Sequence, residues 1–213
     1  MTLKLHVFPF SPRAFKVLFA AHHLGIDYEL KFVNLFKGEQ NAPEFRALNP
    51  SGRMPILEDD GYVLWESNAI VNYLASTKPD SGVLPGDVKD RLAVEKWQFF
   101  DANHWDPACA VFVFEHIVKG ALGRGAADPA EIARGEQMFQ RNAPTLEGQL
   151  QKNRYVAGDR LTVADISLGA AMAAAEMAHY PLESYRAIQR WHADLKALPA
   201  WAKTAELQRQ YAG

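Results

Sequence analysis

Cysteine, net charge and long apolar runs are all scarce in this chain, and each scarcity excludes something. One cysteine, Cys109, among 213 residues rules out an internal disulfide and any multi-cysteine metal site. It also fits a reducing compartment, so a cytoplasmic location is expected. Lys and Arg total 23 against 25 Asp and Glu, a net charge of −2. Such a balance creates no field that would draw nucleic acid or an anionic membrane, and neither is expected as a partner. The longest nearly apolar run, Ile166 to Ala175, is ten residues between Asp165 and Glu176, where a membrane span needs roughly 18. Met1-Thr2-Leu3-Lys4-Leu5-His6 has no basic segment leading into a long apolar stretch, so no secretory leader is expected. The seven histidines show no ligand-like clustering, and no metal is expected. Gly-x-Ser-x-Gly is absent, as are internal repeats and low-complexity tracts.

Hydrophobic residues make up 48% and charged residues 23%, a composition that can bury a core. The first 77 residues alternate between strand and helix signals. Leu3 to Phe8 reads as a strand ended by Pro9. Pro12 to Leu24 carries apolar residues at helical spacing, with Gly25 as a stop. Tyr28 to Val33 alternates as a second strand, and Gly38 to Ala47 holds one short helix. Pro55–Glu58 and Tyr62–Leu64 flank Asp59-Asp60-Gly61, a hairpin signal, and Ser67 to Ala75 is helical again. The order β-α-β-α-β-β-α implies a right-handed crossover, a parallel pair and a mixed sheet. Lys78 to Asp87, with Pro79, Gly82, Pro85 and Gly86, is a linker. Beyond it no strand signal appears. Val88 to Val118 reads as one long helix. Asp128-Pro129-Ala130-Glu131 starts another, which Pro144 is expected to kink or end. Thr162-Val163-Ala164-Asp165 has the pattern of a capping box with Asp in place of Glu. Further helices are expected around Glu183–Leu198 and Pro199–Gln210.

Four local patterns could carry chemistry, and each has a plain structural alternative. Ser11-Pro12 is a good N-cap and first helical position. The same geometry lets a serine hydroxyl donate to an anion at a helix N-terminus beside a strand end. Met54-Pro55 opens the hairpin. Pro at a strand start commonly marks an edge, yet the Met54 backbone could also pair with an extended peptide. In Trp65-Glu66-Ser67, Ser67 caps a helix and Glu66 is a solvated turn residue; alternatively, Ser67 holds an α-carboxylate while Glu66 accepts from the adjacent ammonium. Trp105, Cys109, Phe112 and His116 recur on one helix face, either as a buried helix–helix stripe or, with Phe10 and Phe36, as the border of an apolar pocket. Cys109 reads as a small core filler.

The order of these patterns is more specific than any one of them. Ser11-Pro12, then Pro43-Glu44-Phe45, Asn49-Pro50-Ser51-Gly52-Arg53-Met54-Pro55-Ile56-Leu57 and Leu64-Trp65-Glu66-Ser67-Asn68-Ala69-Ile70 resemble the N-terminal domain of cytosolic glutathione transferases. Tyr155-Val156-Ala157-Gly158-Asp159-Arg160-Leu161-Thr162-Val163-Ala164-Asp165-Ile166 is similar to the capping motif of that family's helical domain. The resemblance covers essentially the whole chain. It implies a thioredoxin-like, glutathione-binding domain over 1–77, a linker over 78–87, and an all-helical domain over 88–213 that contributes the electrophile site. It further implies a serine-type enzyme of the phi- or theta-like kind. Ser11 would activate the thiol, the Met54 backbone at Pro55 would pair with the cysteinyl unit, and Glu66 and Ser67 would hold the γ-glutamyl end. Arg53 could reach a glutathione carboxylate, and Gln40 and Asn41 lie where relatives place residues near the glycine end. The electrophile pocket would draw on Phe10, Phe36, Trp105, Phe112 and His116. A homodimer is also implied; Asp101 reads as a surface charge, with contact to the neighbour's glutathione as the alternative. Glutathione enters as a co-substrate, with no other cofactor. The alternatives are a glutathione-dependent peroxidase and a non-catalytic carrier of glutathione or apolar ligands. A thiol reductase or isomerase would want a cysteine at the start of the first helix, where the chain has Phe10-Ser11.

Overall fold

The computed structural model describes residues 3–211; Met1 and Thr2, part of the leader reading, lie outside them. The chain forms two compact units, one comprising residues up to Ser81 together with those from Ala197 onward, the other Gly82–Lys196.

In the first unit, β1 (Lys4–Val7), α1 (Pro12–Leu24), β2 (Glu29–Phe32), α2 (Pro43–Leu48), β3 (Ile56–Asp59), β4 (Tyr62–Trp65) and α3 (Ser67–Ser76) follow in the expected order. The sheet order is β2-β1-β3-β4. β1 and β2 are parallel, and β3 is antiparallel to both β1 and β4, which is the thioredoxin-like arrangement expected. α1 begins and ends at the residues the sequence indicates. Pro12 is its first residue, and Gly25, at φ 62°, takes the left-handed C-cap that only glycine adopts without strain. Leu5, Val7, Ile56 and Leu57 are fully buried, as are Phe15, Leu18 and Phe19 of α1 and Ile70, Val71 and Leu74 of α3. α1 and α3 pack side by side.

A late helix belongs to this unit: α10 (Pro199–Gln210) packs on α1. Trp201 sets its ring 4.8 Å from Phe15 and 5.5 Å from Phe19. One turn on, buried Thr204 donates to Ala200 O at 2.7 Å, so its hydroxyl accepts from His22 Nδ1 at 2.8 Å. Tyr28 completes the chain by donating to His22 Nε2 at 2.9 Å. The sequence reading ran the helical region from 88 to 213; packing groups the residues from 197 with the sheet.

The second unit is all helical, with α4 (Val88–Phe100), α5 (Asp106–Val113), the short α6 (Lys119–Ala121), α7 (Pro129–Leu150), α8 (Val163–Ala171) and α9 (Arg186–Lys196). The span 88–118 is helical throughout, as the sequence suggests, though its α ladder is not regular. π turns at Asp101–Trp105 and Phe114–Val118 interrupt it, the first running into Pro107, which has no N–H to continue an α ladder. Pro144 does not end α7, which continues to Leu150. Asp165 is the buried knot of the unit. Its carboxylate accepts from Thr162 N (2.9 Å) and Thr162 Oγ1 (3.0 Å), as the capping pattern anticipates, and also from Val156 N (2.9 Å) and Trp191 Nε1 (3.0 Å). Burial pushes its pKa up against those hydrogen bonds, which pull it down.

Candidate functional site

The ladders determine where the candidate residues gather. Val7 pairs with Phe32, His6 with Ile56, and Ile56 with Trp65. The segments after β1, after β2, before β3 and after β4 therefore all leave the sheet at one end. Those segments carry Ser11, Gln40, Arg53–Pro55 and Glu66–Ser67. The end also receives the N-termini of α1 and α3, both directing backbone N–H groups and the positive ends of their dipoles outward. Beneath them, buried Lys16 of α1 donates to Asn68 Oδ1 of α3 at 2.9 Å, tying the two helices together.

Ser11 is half-buried and extended (φ −73°, ψ 132°), and its side chain makes no capping hydrogen bond. The hydroxyl is thus not engaged in the structural task that its position suggests. Its backbone N–H closes a turn onto Phe8 O at 2.9 Å. The Met54-Pro55 peptide is cis, and Met54, half-buried, stands just outside the β3 ladder. The loop leading to it is held by a residue that the sequence reading did not single out as functional. Buried Asn49 donates from Nδ2 to Arg53 O at 2.7 Å, and its Oδ1 accepts from Ser51 N and Oγ at 3.0 and 2.8 Å. Arg46 also braces this loop, donating to Pro50 O at 3.2 Å and to Asn41 Oδ1 at 3.0 Å. Asn-Pro-Ser-Gly is a turn signal, so Asn49 could have been found from sequence as an Asx turn. Arg53 itself is exposed. Gln40 is half-buried, and its Oε1 is buried without a hydrogen-bond partner among the described residues.

Glu66 is exposed, in the left-handed region at φ 71°, ψ 116°, a conformation costing a non-glycine residue about 1–3 kcal/mol. It turns the chain from β4 into α3. Ser67 behind it is buried as the first residue of α3. Strain of this kind collects at functional sites.

An aromatic surface adjoins Ser11. Phe10 and Phe36 are 40% and 54% exposed. Each meets buried Phe8 edge-on, at 5.2 and 5.3 Å. Phe32 lies 6.0 Å from Phe8 and stacks on Tyr211 at 5.3 Å. Phe32 and Tyr211 did not emerge from the sequence reading, because one is a strand residue and the other comes 200 positions after Ser11. The remaining pocket candidates lie in the helical unit. Trp105 and Phe112 are core residues without appreciable exposure. Trp105 donates to Leu168 O at 3.3 Å, and Phe139 lies against both rings. Their placement follows the buried-stripe alternative. His116 leaves that stripe because the π turn from Phe114 to Val118 adds a residue to the repeat; it is exposed, edge-on to His179 at 5.1 Å. Cys109 is buried, and burial, with Asp106 nearby, pushes its thiol well up, so it is not a nucleophile. Asp101 is fully buried and so is not the surface charge expected from sequence. Among the described residues no group of three potential ligands is placed to hold a metal ion, and no helix is long and apolar enough to cross a membrane.

Comparison with known proteins places the fold in a family. Residues 1–76 match the model of the glutathione S-transferase N-terminal domain, and residues 129–202 that of the C-terminal domain. A glutathione S-transferase of Hyoscyamus muticus is 31% identical over 98% of this chain and all of its own length. Glutathione S-transferase 3 of Zea mays is 33% identical over 95% of this chain and 92% of its own. Among solved structures, a glutathione S-transferase from Pseudomonas fluorescens superposes with a TM-score of 0.85 at 30% identity, covering 94% of this chain and 97% of that one. A glutathione S-transferase-I bound with lactoylglutathione superposes with a TM-score of 0.88 at 26% identity, covering 97% and 100%. The chain belongs to the glutathione S-transferase family.

Proposed function

We propose that the chain conjugates reduced glutathione to hydrophobic electrophiles, with the Ser11 hydroxyl stabilising the glutathione thiolate. The observation that carries this reading is the convergence of Ser11, the Met54 backbone, Glu66 and Ser67 on the sheet end that also holds two helix N-termini. Glutathione bears two carboxylates, an ammonium and a thiol. The N-terminus of α3 with Ser67 suits the γ-glutamyl carboxylate, and the Glu66 carboxylate suits its ammonium. The Met54 backbone, outside the ladder, suits the peptide of the cysteinyl unit. Gln40 and Arg53, on the segments after β2 and before β3, would serve the glycine end, the exposed Arg53 guanidinium suiting its carboxylate.

The chemistry requires a thiolate, and a free thiol has a pKa of about 8.5. Bringing it to about 6.5 requires roughly 2.7 kcal/mol of preferential stabilisation of the anion. One hydroxyl hydrogen bond to a charged acceptor supplies about 1.5–3 kcal/mol, and a helix N-terminus adds about 0.3–1 kcal/mol. Together they suffice without a general base. Ser11 donates its proton to the sulfur in a hydrogen bond and forms no covalent bond itself. The electrophile would rest on the exposed rings of Phe10 and Phe36, next to the sulfur, so that proximity supplies much of the rate. A homodimer is part of the same reading: Val88, Leu92 and Phe99 leave apolar side chains 57–68% exposed along α4.

Ser11→Ala should leave glutathione affinity within several-fold, raise the pKa of the bound thiol and lower turnover at neutral pH by at least tenfold. Ser67→Ala should instead weaken glutathione binding. Full turnover in the first variant would refute the activation role. Isothermal titration and the ultraviolet absorbance of the thiolate measure both effects.

A further inference from the structure

We infer that Gln208, on the last helix, is a positioning residue for the Ser11 turn; the inference rests on the activating role of Ser11 proposed above. The turn runs Phe8-Pro9-Phe10-Ser11 and is closed by Ser11 N donating to Phe8 O at 2.9 Å. Pro9 is buried and has no N–H, so its carbonyl is its one backbone polar group. A buried carbonyl needs a donor. Gln208 Nε2 provides it at 2.7 Å, across 199 residues of sequence. Gln208 lies seven residues after Trp201 and four after Thr204, on the face of α10 that packs on α1. Trp201 against Phe15 and Phe19, and Thr204 bonded to His22, keep α10 in register with α1. The side-chain amide thus reaches the turn from a fixed base. The serine hydroxyl is worth most to a thiolate when its position is set before the anion forms. In this arrangement Gln208 touches neither glutathione nor the electrophile; it restrains the carbonyl two residues before the hydroxyl that does.

The test is Gln208→Met, which keeps the length and packing of the side chain and removes the donor, with Gln210→Ala on the exposed side of α10 as control. The expected result is a rise in the apparent pKa of the pH profile of kcat/KM. Turnover near pH 6.5 should fall about threefold to tenfold, the range for one lost hydrogen bond to a buried carbonyl. The KM for glutathione should hold within about twofold, while the thermal midpoint falls by a few degrees relative to the control, because the Pro9 carbonyl loses its donor. Gln208→Glu, whose ionised carboxylate cannot donate, should reproduce the shift. An unshifted pH profile in Gln208→Met overturns the inference, and so does a loss confined to KM. If Ser11→Ala itself leaves the profile unchanged, the activating role fails first, and the two failures are told apart by that variant.

Discussion

Glu66 shows how much a single backbone angle can commit a residue. It holds φ 71° without being glycine, and no local signal in Trp65-Glu66-Ser67 announces it. Glu66→Gly removes the Cβ that makes the conformation costly. The added chain entropy of glycine in the unfolded state offsets part of the gain. The folded state should gain about 1 kcal/mol, read as a raised thermal midpoint, while glutathione affinity falls because the carboxylate is gone. A lowered thermal midpoint would show that the angle is not a strained one. Residue types at this site were legible from sequence, since Ser11, Met54, Pro55, Glu66 and Ser67 stand in recognisable strings. What was not legible is their supports. Asn49, Lys16 and Gln208 act through partners 2 to 199 residues away, and short-range patterns carry no trace of the longer pairings.

Elements were read well wherever one period holds throughout. α1, α10 and the Asp-Gly hairpin appear where their spacing and punctuation put them. The span 88–118 is helical throughout, as expected, but two π turns shift the 3.6-residue repeat along it and carry His116 out of the stripe with Trp105 and Phe112. Pro144 does not end α7, which runs on to Leu150, so of the two effects expected of it termination does not occur. Element packing supports two predictions. Gly135 of α7 faces α5, and a Cβ there would lie 2.9 Å from Val111 Cγ1 and 3.1 Å from its Cβ. Val111 is β-branched and cannot swing away. Gly135→Ala should therefore destabilise by about 1–2 kcal/mol in chemical denaturation, despite alanine's better helix propensity. Adding Val111→Ala should recover part of that loss.

The second prediction concerns acid. His22 links α1, the approach to β2, and α10, and its pKa is lowered to about 4 by burial and by the Lys203 charge. Tyr28, which donates to it, is pushed up to about 12, chiefly by burial. His192 of α9 is likewise lowered to about 4, chiefly by burial. In the unfolded chain each histidine takes up its proton near the ordinary 6.5. Between those values the unfolded state binds more protons, so stability rises with pH there. The contribution is present in full above pH 6.5 and is lost as the pH falls toward about 4. Thermal midpoints measured across that window should fall on acidification. Phenylalanine at position 22 should flatten part of the slope, and a slope unchanged in that variant would remove His22 from the account.

At the scale of the molecule, the sheet unit is assembled from two separate stretches of chain. A fragment ending at Ser81 lacks α10 and exposes the faces of Phe15 and Phe19 that Trp201 covers. Burying a large aromatic side chain contributes roughly 1.5–3 kcal/mol, a sizeable part of a small domain's total stability. By circular dichroism the fragment should show little cooperative melting, and a synthetic peptide of residues 197–213 should restore structure. A fragment that melts sharply alone would show that α10 is dispensable for folding. Family models end the first domain at residue 76, and composition places the linker just after it. Neither could show that a helix beginning at Pro199 belongs with the sheet.

On the ribosome, this arrangement sets an order of events. The strands emerge first, yet the helix that covers one flank of α1 and holds the turn before Ser11 is translated only after the whole of Gly82–Lys196 has been made. The nascent sheet must wait, partly bare, for its last piece. Full turnover should therefore appear only once α10 has left the ribosome and packed on α1.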